Sequence, residues 1–372
     1  MKNFFILIVS IVLIGAAGLG TYLTEHNAIS EGNTTVTDMV NRTVTIPSPV
    51  NNVLSTSPTI TVIVYMLAPE KLLAFNYETT VEEQKYMPDK YKNLPSVGGW
   101  YGSQSGNYEE FIAMNPDLIF DSVSPANTPG QELATLDTLN SRQHQFGTIP
   151  DLAVTDSNNI TLFNPSIEFV GKILGAGEKA SKLTSFNDKV QKQVKDVVTT
   201  IPENEKVKVY YAEGSAGLQT EPSNSAHGQL INFCGGINVA DVMVQGGSGK
   251  TEVSLEQVLK WNPEVIITTE LTFYQSVYND SNWAGITAVK NKRVYLSPQS
   301  PFKWFDRPTG TNMVIGIPWV AKILYPDKFK DLNINSLVKE FYSDFYHFDL
   351  SDEEINNILK ESGMNSTMIN GE

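Results

Sequence analysis

The chain has 372 residues, 41% of them apolar and 18% charged, which is longer than one hydrophobic core ordinarily sustains and points to two domains. A formal charge of −14 excludes the basic face that nucleic acid or an anionic membrane surface requires. The lone cysteine, Cys234, excludes an intrachain disulfide and a cysteine-built zinc or iron–sulfur site, and the four histidines, His26, His144, His227 and His347, include no i, i+4 pair that would set two imidazoles on one helix face.

At the N-terminus, Phe4 to Leu23 carries no charge, with Lys2 before it and Glu25 after it. At about 1.5 Å per helical residue this run matches the hydrocarbon core of a bilayer, about 30 Å thick. Residues 1–25 therefore read as an N-terminal membrane anchor or, given the small residues Gly15-Ala16-Ala17-Gly18 after Phe4–Ile14, as a cleavable signal peptide. The charge order puts the body of the protein outside the cytoplasm, and with no cysteine behind the apolar run a bacterial-type lipid anchor is excluded. Residues 26–37, rich in Asn, Gly, Ser and Thr, are expected to be a flexible tether. Sequons at Asn33, Asn41, Asn159, Asn279 and Asn365 fit an exported chain.

One pattern occurs twice. Residues 107–119 (Asn-Tyr-Glu-Glu-Phe-Ile-Ala-Met-Asn-Pro-Asp-Leu-Ile) correspond in spacing to residues 254–266 (Ser-Leu-Glu-Gln-Val-Leu-Lys-Trp-Asn-Pro-Glu-Val-Ile). In each copy Asn107 or Ser254 caps a two-turn helix that carries Glu109 or Glu256 in its first turn, where the helix dipole favours an acid. The helix must end before Asn-Pro, because the residue preceding proline is pushed out of the α region. A short apolar run follows, of the kind that makes a buried parallel strand. The two copies thus predict two lobes of similar α/β build.

Between the copies, Asn164-Pro165 starts a helix that ends at Gly175. Ala180, Leu183, Phe186, Val190, Val194, Val197 and Ile201 then keep three-to-four spacing as far as Pro202, which predicts a linker helix over 178–202 about 36 Å long. The N-terminal lobe is accordingly placed at 38–177 and the C-terminal lobe, with its C-terminal helices, at 203–372. Val207–Tyr211 restarts the pattern as a strand. Near the end come an aromatic cluster, Phe341-Tyr342 and Phe345-Tyr346, and a capping box from Ser351 to Glu354 that starts a last, docking helix.

The segments Asp38–Pro47, Val53–Pro58, Gly235–Ala240, Lys292–Tyr295 and Trp319–Pro326, in that order, resemble the periplasmic binding proteins of iron-siderophore, haem and cobalamin ABC importers, a likeness running from about Val36 to Leu359. The resemblance implies two Rossmann-like lobes joined by a single long α-helix, with the ligand held in the cleft between them. It further implies an iron chelate, haem or corrinoid as ligand, no cofactor, an ABC permease as partner, and a monomer outside the cytoplasm. By motif position, Glu109 and Glu256 correspond to the glutamates with which this family docks onto permease arginines. The alternatives are a binder of another metal ion or an oxyanion, or a chelatase-like enzyme on the same fold.

Ligands of open α/β sheets bind at loops after the strand C-termini. In the first lobe this singles out Ser57, Tyr77, and Trp100 and Tyr101, two aromatics set among glycines as flat contacts for a chelate. In the second it singles out Glu213, His227, Trp304 as a stacking face, and Arg307 as a bidentate fork for a ligand carboxylate or phosphate. An alternative role for Arg307 is a structural salt bridge with Asp306 or another acid. The loop 244–251 mimics a phosphate-binding loop but has Val244 where glycine is required, and reads as a surface loop. Cys234 reads as a small core residue.

Overall fold

In the computed structural model, which describes residues 32–124, 131–243 and 250–371, the short apolar runs assemble into two separate parallel sheets. The anchor or signal segment and the loop 244–249 lie outside the described residues. Among the described residues no helix is long and apolar enough to cross a membrane.

The chain enters on an antiparallel hairpin of β1 (Gly32–Thr37) and β2 (Thr43–Ser48). This corrects the tether reading for residues 32–37, whose β-branched Thr34-Thr35-Val36-Thr37 outweighs their polar composition once a partner strand is present. Asp38 hooks the hairpin down. Its carboxylate accepts the Val40 and Arg42 amides at 3.1 and 2.8 Å, pairs with the Arg42 guanidinium at 2.7 Å, and takes the Ala153 amide at 3.1 Å.

The first sheet runs β3 (Val53–Ser55), β4 (Leu118–Ser122), β5 (Asp151–Val154), all parallel. Helix α1 (Pro58–Leu67), capped by Ser57 with proline in its first turn, is buried along its whole length. Helix α2 (Tyr108–Ala113) feeds β4, and α3 (Asn164–Ile173) leads into the linker α4 (Gly177–Val198). The linker is therefore about 33 Å of rod at 1.5 Å per residue and stops four residues before Pro202.

The second lobe begins with β6 (Lys208–Ala212), followed by β7 (Gln219–Thr220), β8 (Ile237–Asn238) and β9 (Thr251–Glu252), with β7 and β9 pairing antiparallel. Helix α5 (Leu255–Trp261) then feeds β10 (Val265–Thr268), and β11 (Val294–Leu296) completes a parallel sheet of order β11-β10-β6-β8. Helices α6 (Met313–Leu324), α7 (Ile334–Phe341) and α8 (Asp352–Glu361) follow, α8 started by the Ser351–Glu354 capping box; α8 is not the last helix, since a short one, Ser366–Asn370, comes after it.

The repeat holds in detail. Asn107 caps α2 and Ser254 caps α5 through their side chains. Asn115 and Asn262, each preceding proline, turn left-handed at φ 50° and 44°, a conformation asparagine tolerates better than most residues. Asp117 then accepts the amides of Asn51 and Asn52, and Glu264 accepts that of Lys208, so each copy braces the start of the strand beside it.

The lobes meet along a shared core. The linker packs Phe186 against Phe341 and Phe345, at ring separations of 5.4 and 5.9 Å, and adds ion pairs Lys182–Asp344 and Lys189–Glu340 at 2.6 and 2.9 Å. Across the seam, Ser300 accepts the Tyr86 amide and donates to the Glu83 carbonyl, both at 2.8 Å. Within this core a Cβ added at Gly316 on α6 would meet the Trp304 carbonyl oxygen at 2.0 Å. Gly316→Ala is expected to lower the unfolding free energy by about 1–3 kcal/mol through overpacking, read from urea denaturation.

Candidate functional site

A cleft of about 650 Å³ opens between the lobes, within the range of small-molecule sites. Ser57, Tyr77, Trp100 and Tyr101 line it from the first lobe, and His227 and Arg307 from the second. Six of the eight ligand contacts expected from the sequence are therefore brought together on facing walls; Glu213 sits immediately behind its own wall, and Trp304 does not belong.

The first wall grows from the ends of β3, β4 and β5. At the start of α1 the hydroxyls of Ser57, Thr59 and Ser157 form a chain, at 3.1 Å and then 2.9 Å. The aromatic loop is set by backbone contacts: the Trp100 amide donates to the Thr56 carbonyl at 2.8 Å, and a Cβ at Gly99 would lie 2.3 Å from that oxygen, so only glycine fits. One side of the Trp100 ring packs on Tyr108 and Phe111, at 4.5 and 5.2 Å, with the Arg142 guanidinium 5.4 Å from its centre. The ring is thus half folded into its own lobe and half offered to the cleft. Tyr101 donates to the Asn76 carbonyl at 2.9 Å. The Tyr77 hydroxyl is buried and has no hydrogen-bond partner among the described residues; burial, reinforced by Glu83 and Tyr101, pushes its pKa upward and keeps it protonated.

The second wall is a buried charge network. Arg307 pairs with Glu213 at 2.6 Å and Glu221 at 2.7 Å, with Asp306 3.7 Å away, and all three acids are fully buried. The ion-pair role for Arg307 is thereby realised, with Glu213 and Glu221 as its main partners. Burial raises the Glu213 pKa to about 7 against the opposing pull of Arg307. Asp306 instead holds His227, Nδ1 to carboxylate at 2.7 Å. Burial disfavours the imidazolium, but the Asp306 charge and hydrogen bond outweigh it and raise the His227 pKa above the usual value. With Nδ1 engaged, Nε2 is the nitrogen left for a ligand.

Trp304 is a correction. Its side chain is fully buried, and its indole N–H donates to the Tyr342 hydroxyl at 3.3 Å, because an interior indole needs an acceptor and the C-terminal aromatic cluster supplies one. Glu109 and Glu256 are exposed on α2 and α5, away from the cleft. Ser122 and Ser157 also line the cleft and were not foreseen from the sequence, whereas Thr59 and Lys303 fall in the strand-end loops 55–59 and 302–308 that the strand-end rule picks out. Ser122 ends β4 and Ser157 lies just after β5, so the rule applied to every strand would have found them. Glu221 was legible only as part of a polar loop.

Cys234 is buried, its thiol donating to the Ile317 carbonyl at 3.4 Å, and burial pushes its pKa up. Among the described residues no three His, Cys, Asp or Glu side chains converge as a metal site. A second cavity of about 620 Å³, walled by Tyr86, Tyr274, Leu296 and Ile358, shares Thr80 and Lys303 with the main cleft.

A family model described as periplasmic binding protein matches residues 53–301, which include the first wall and Glu213, Glu221 and His227 of the second. The chain belongs to the periplasmic binding protein family. The ABC transporter solute-binding protein of Sulfurospirillum deleyianum superposes with a TM-score of 0.79 at 31% identity, over 88% of this chain and 99% of that one. Among curated relatives, the molybdate-binding protein MolA of Haemophilus influenzae is 25% identical, covering 84% of this chain and 90% of its own. The vitamin B12-binding protein of Vibrio cholerae is 28% identical, covering 71% and 85%. This binding protein is the substrate-binding component of an ABC importer, with permease subunits as partners and an extracytoplasmic place of work.

Removing the Arg307 guanidinium strands buried carboxylates. Arg307→Ala is expected to cost about 3–5 kcal/mol near neutral pH, as for other broken buried pairs. The deficit relative to wild type should shrink as acid protonates Glu213, whose pKa burial raises to about 7, which urea denaturation across a pH series would measure.

Proposed function

We propose that this binding protein carries a metal complex, an iron chelate, haem or corrinoid, without itself catalysing a reaction. The observation that carries the reading is the pairing across one cleft of a half-exposed aromatic wall with a histidine whose Nδ1 is held by Asp306. Trp100 and Tyr101 suit the flat body of a chelate or macrocycle, and a carboxylate-oriented imidazole suits an open metal position.

A bare oxyanion is the competing reading, supported by the hydroxyl chain of Ser57, Thr59 and Ser157 and by the molybdate-binding relative. Charge weighs against it. Arg307, which would meet an anion, already faces Glu213 and Glu221, with Asp306 beside it. An incoming anion would add a further negative charge to a wall where buried acids outnumber arginine.

Thermal shift of residues 28–372 against ferric siderophores, haem, cobalamin and molybdate separates the readings, since a ligand that binds only the folded state raises the unfolding temperature. Stabilisation by a chelate and not by molybdate is expected; the reverse result would overturn the proposal. For the stabilising chelate, Trp100→Ala and His227→Ala should each weaken binding about tenfold or more, measured by fluorescence quenching.

The pH dependence has a defined sign. Protonation of His227 removes the Nε2 lone pair, and its pKa is raised, so affinity should fall as pH drops from about 8 to about 5.5. That dependence should flatten in His227→Ala.

Docking onto the permease is assigned to Glu109 and Glu256, exposed at matching positions of the two lobes. The double change Glu109→Ala, Glu256→Ala is expected to abolish uptake while leaving chelate affinity intact. Loss of affinity in that variant would place both residues in the wrong role.

A further inference from the structure

The two repeat helices agree in more than their caps. Phe111 and Val258 are fully buried, Pro116 and Pro263 are buried, and Glu109 and Glu256 are exposed. The agreement extends to a pair of residues that folding leaves unexplained. Ile112 is 42% exposed and Leu259, 147 residues later, is 41% exposed. Among the described residues only eight large apolar side chains are exposed, and these two occupy the same position of the repeat. Each lies three residues after its glutamate, hence on the same helix face. Neither glutamate makes an ion pair within the chain among the described residues.

We propose that Ile112 and Leu259 are the apolar anchors of a docking surface whose partner presents two equivalent sockets, each an apolar floor beside a basic group. This rests on the import reading and names the permease as the occupant. Exposed acids alone steer an encounter but add little affinity in water. Apolar side chains that become fully desolvated at an interface carry most of the binding energy. A glutamate paired with an aliphatic side chain on each lobe supplies both terms twice. Because the two patches are related by the internal repeat, matching them calls for a partner built from two like subunits.

Photo-crosslinking tests this independently of ligand binding. Benzoylphenylalanine would replace Ile112, Leu259 or, as a control, Leu162, which is 50% exposed but has Thr309 at the corresponding later position. In illuminated producing cells, positions 112 and 259 are expected to capture the same multi-spanning membrane subunit, identified by mass spectrometry, and position 162 is not. Capture from only one position, from neither, of different subunits, or equally from position 162 would overturn the proposal. In parallel, Ile112→Ser with Leu259→Ser, at an unchanged unfolding temperature, should reduce retention of the protein on permease-containing membranes about tenfold or more; unchanged retention would refute the anchors. If no chelate stabilises the protein while the crosslinks form, the ligand assignment fails and the docking surface stands.

Discussion

The structure depends on an apolar seam that joins its two lobes along one side. Each lobe has its own small parallel sheet, of three and four strands, too modest to bury all the apolar surface the chain carries. The surplus is placed between them. Helix α1 from the first lobe, α6 from the second, the linker α4 and the aromatic cluster of α7 and its C-terminal extension belong to a single continuous core. Because hydrophobic burial is favourable wherever the surface is removed from water, a core that crosses the lobe boundary makes their separation costly. The seam closes one side of the interface and leaves the other as the cleft.

The two cleft walls do different work because they are made of different material. The first lobe offers hydroxyls at the start of a buried helix and aromatics held by a glycine-dependent loop. The second offers buried carboxylates that hold its facing groups: Glu213 and Glu221 pair with Arg307, and Asp306 holds the His227 imidazole. Buried acids in that number fix the side chains that face the ligand, since moving Arg307 or His227 would leave a carboxylate unpaired.

Much of this was legible in the sequence because it is governed by local rules. Helix caps at Asn107 and Ser254, the Asn-Pro stops, the apolar stripe of the linker and the Ser351 capping box all involve residues within a turn or two of one another. The failures involve distant partners. Residues 32–37 look like a tether until β2 and the Asp38 hook are known. Trp304 and Arg307 are three residues apart, yet one turns into the C-terminal aromatic cluster and the other into the cleft, as decided by Tyr342 and by Glu213 and Glu221. Nothing in the order of residues announces that Asp306 holds His227 more closely than it holds its own neighbour, Arg307.

The stitched seam has a consequence for the traffic of carriers. With Ser300 bonded to both Tyr86 and Glu83, and the linker pinned by Phe341, Phe345 and two ion pairs, the two lobes are tied to each other away from the cleft. A receptor distinguishes two states only through a difference in the free energy with which it holds them. If that tie keeps the outer face the same with and without a guest, vacant carriers would occupy receptor sites in competition with laden ones. Throughput would depend on the ratio of the two populations outside the cell as well as on how tightly the guest is held.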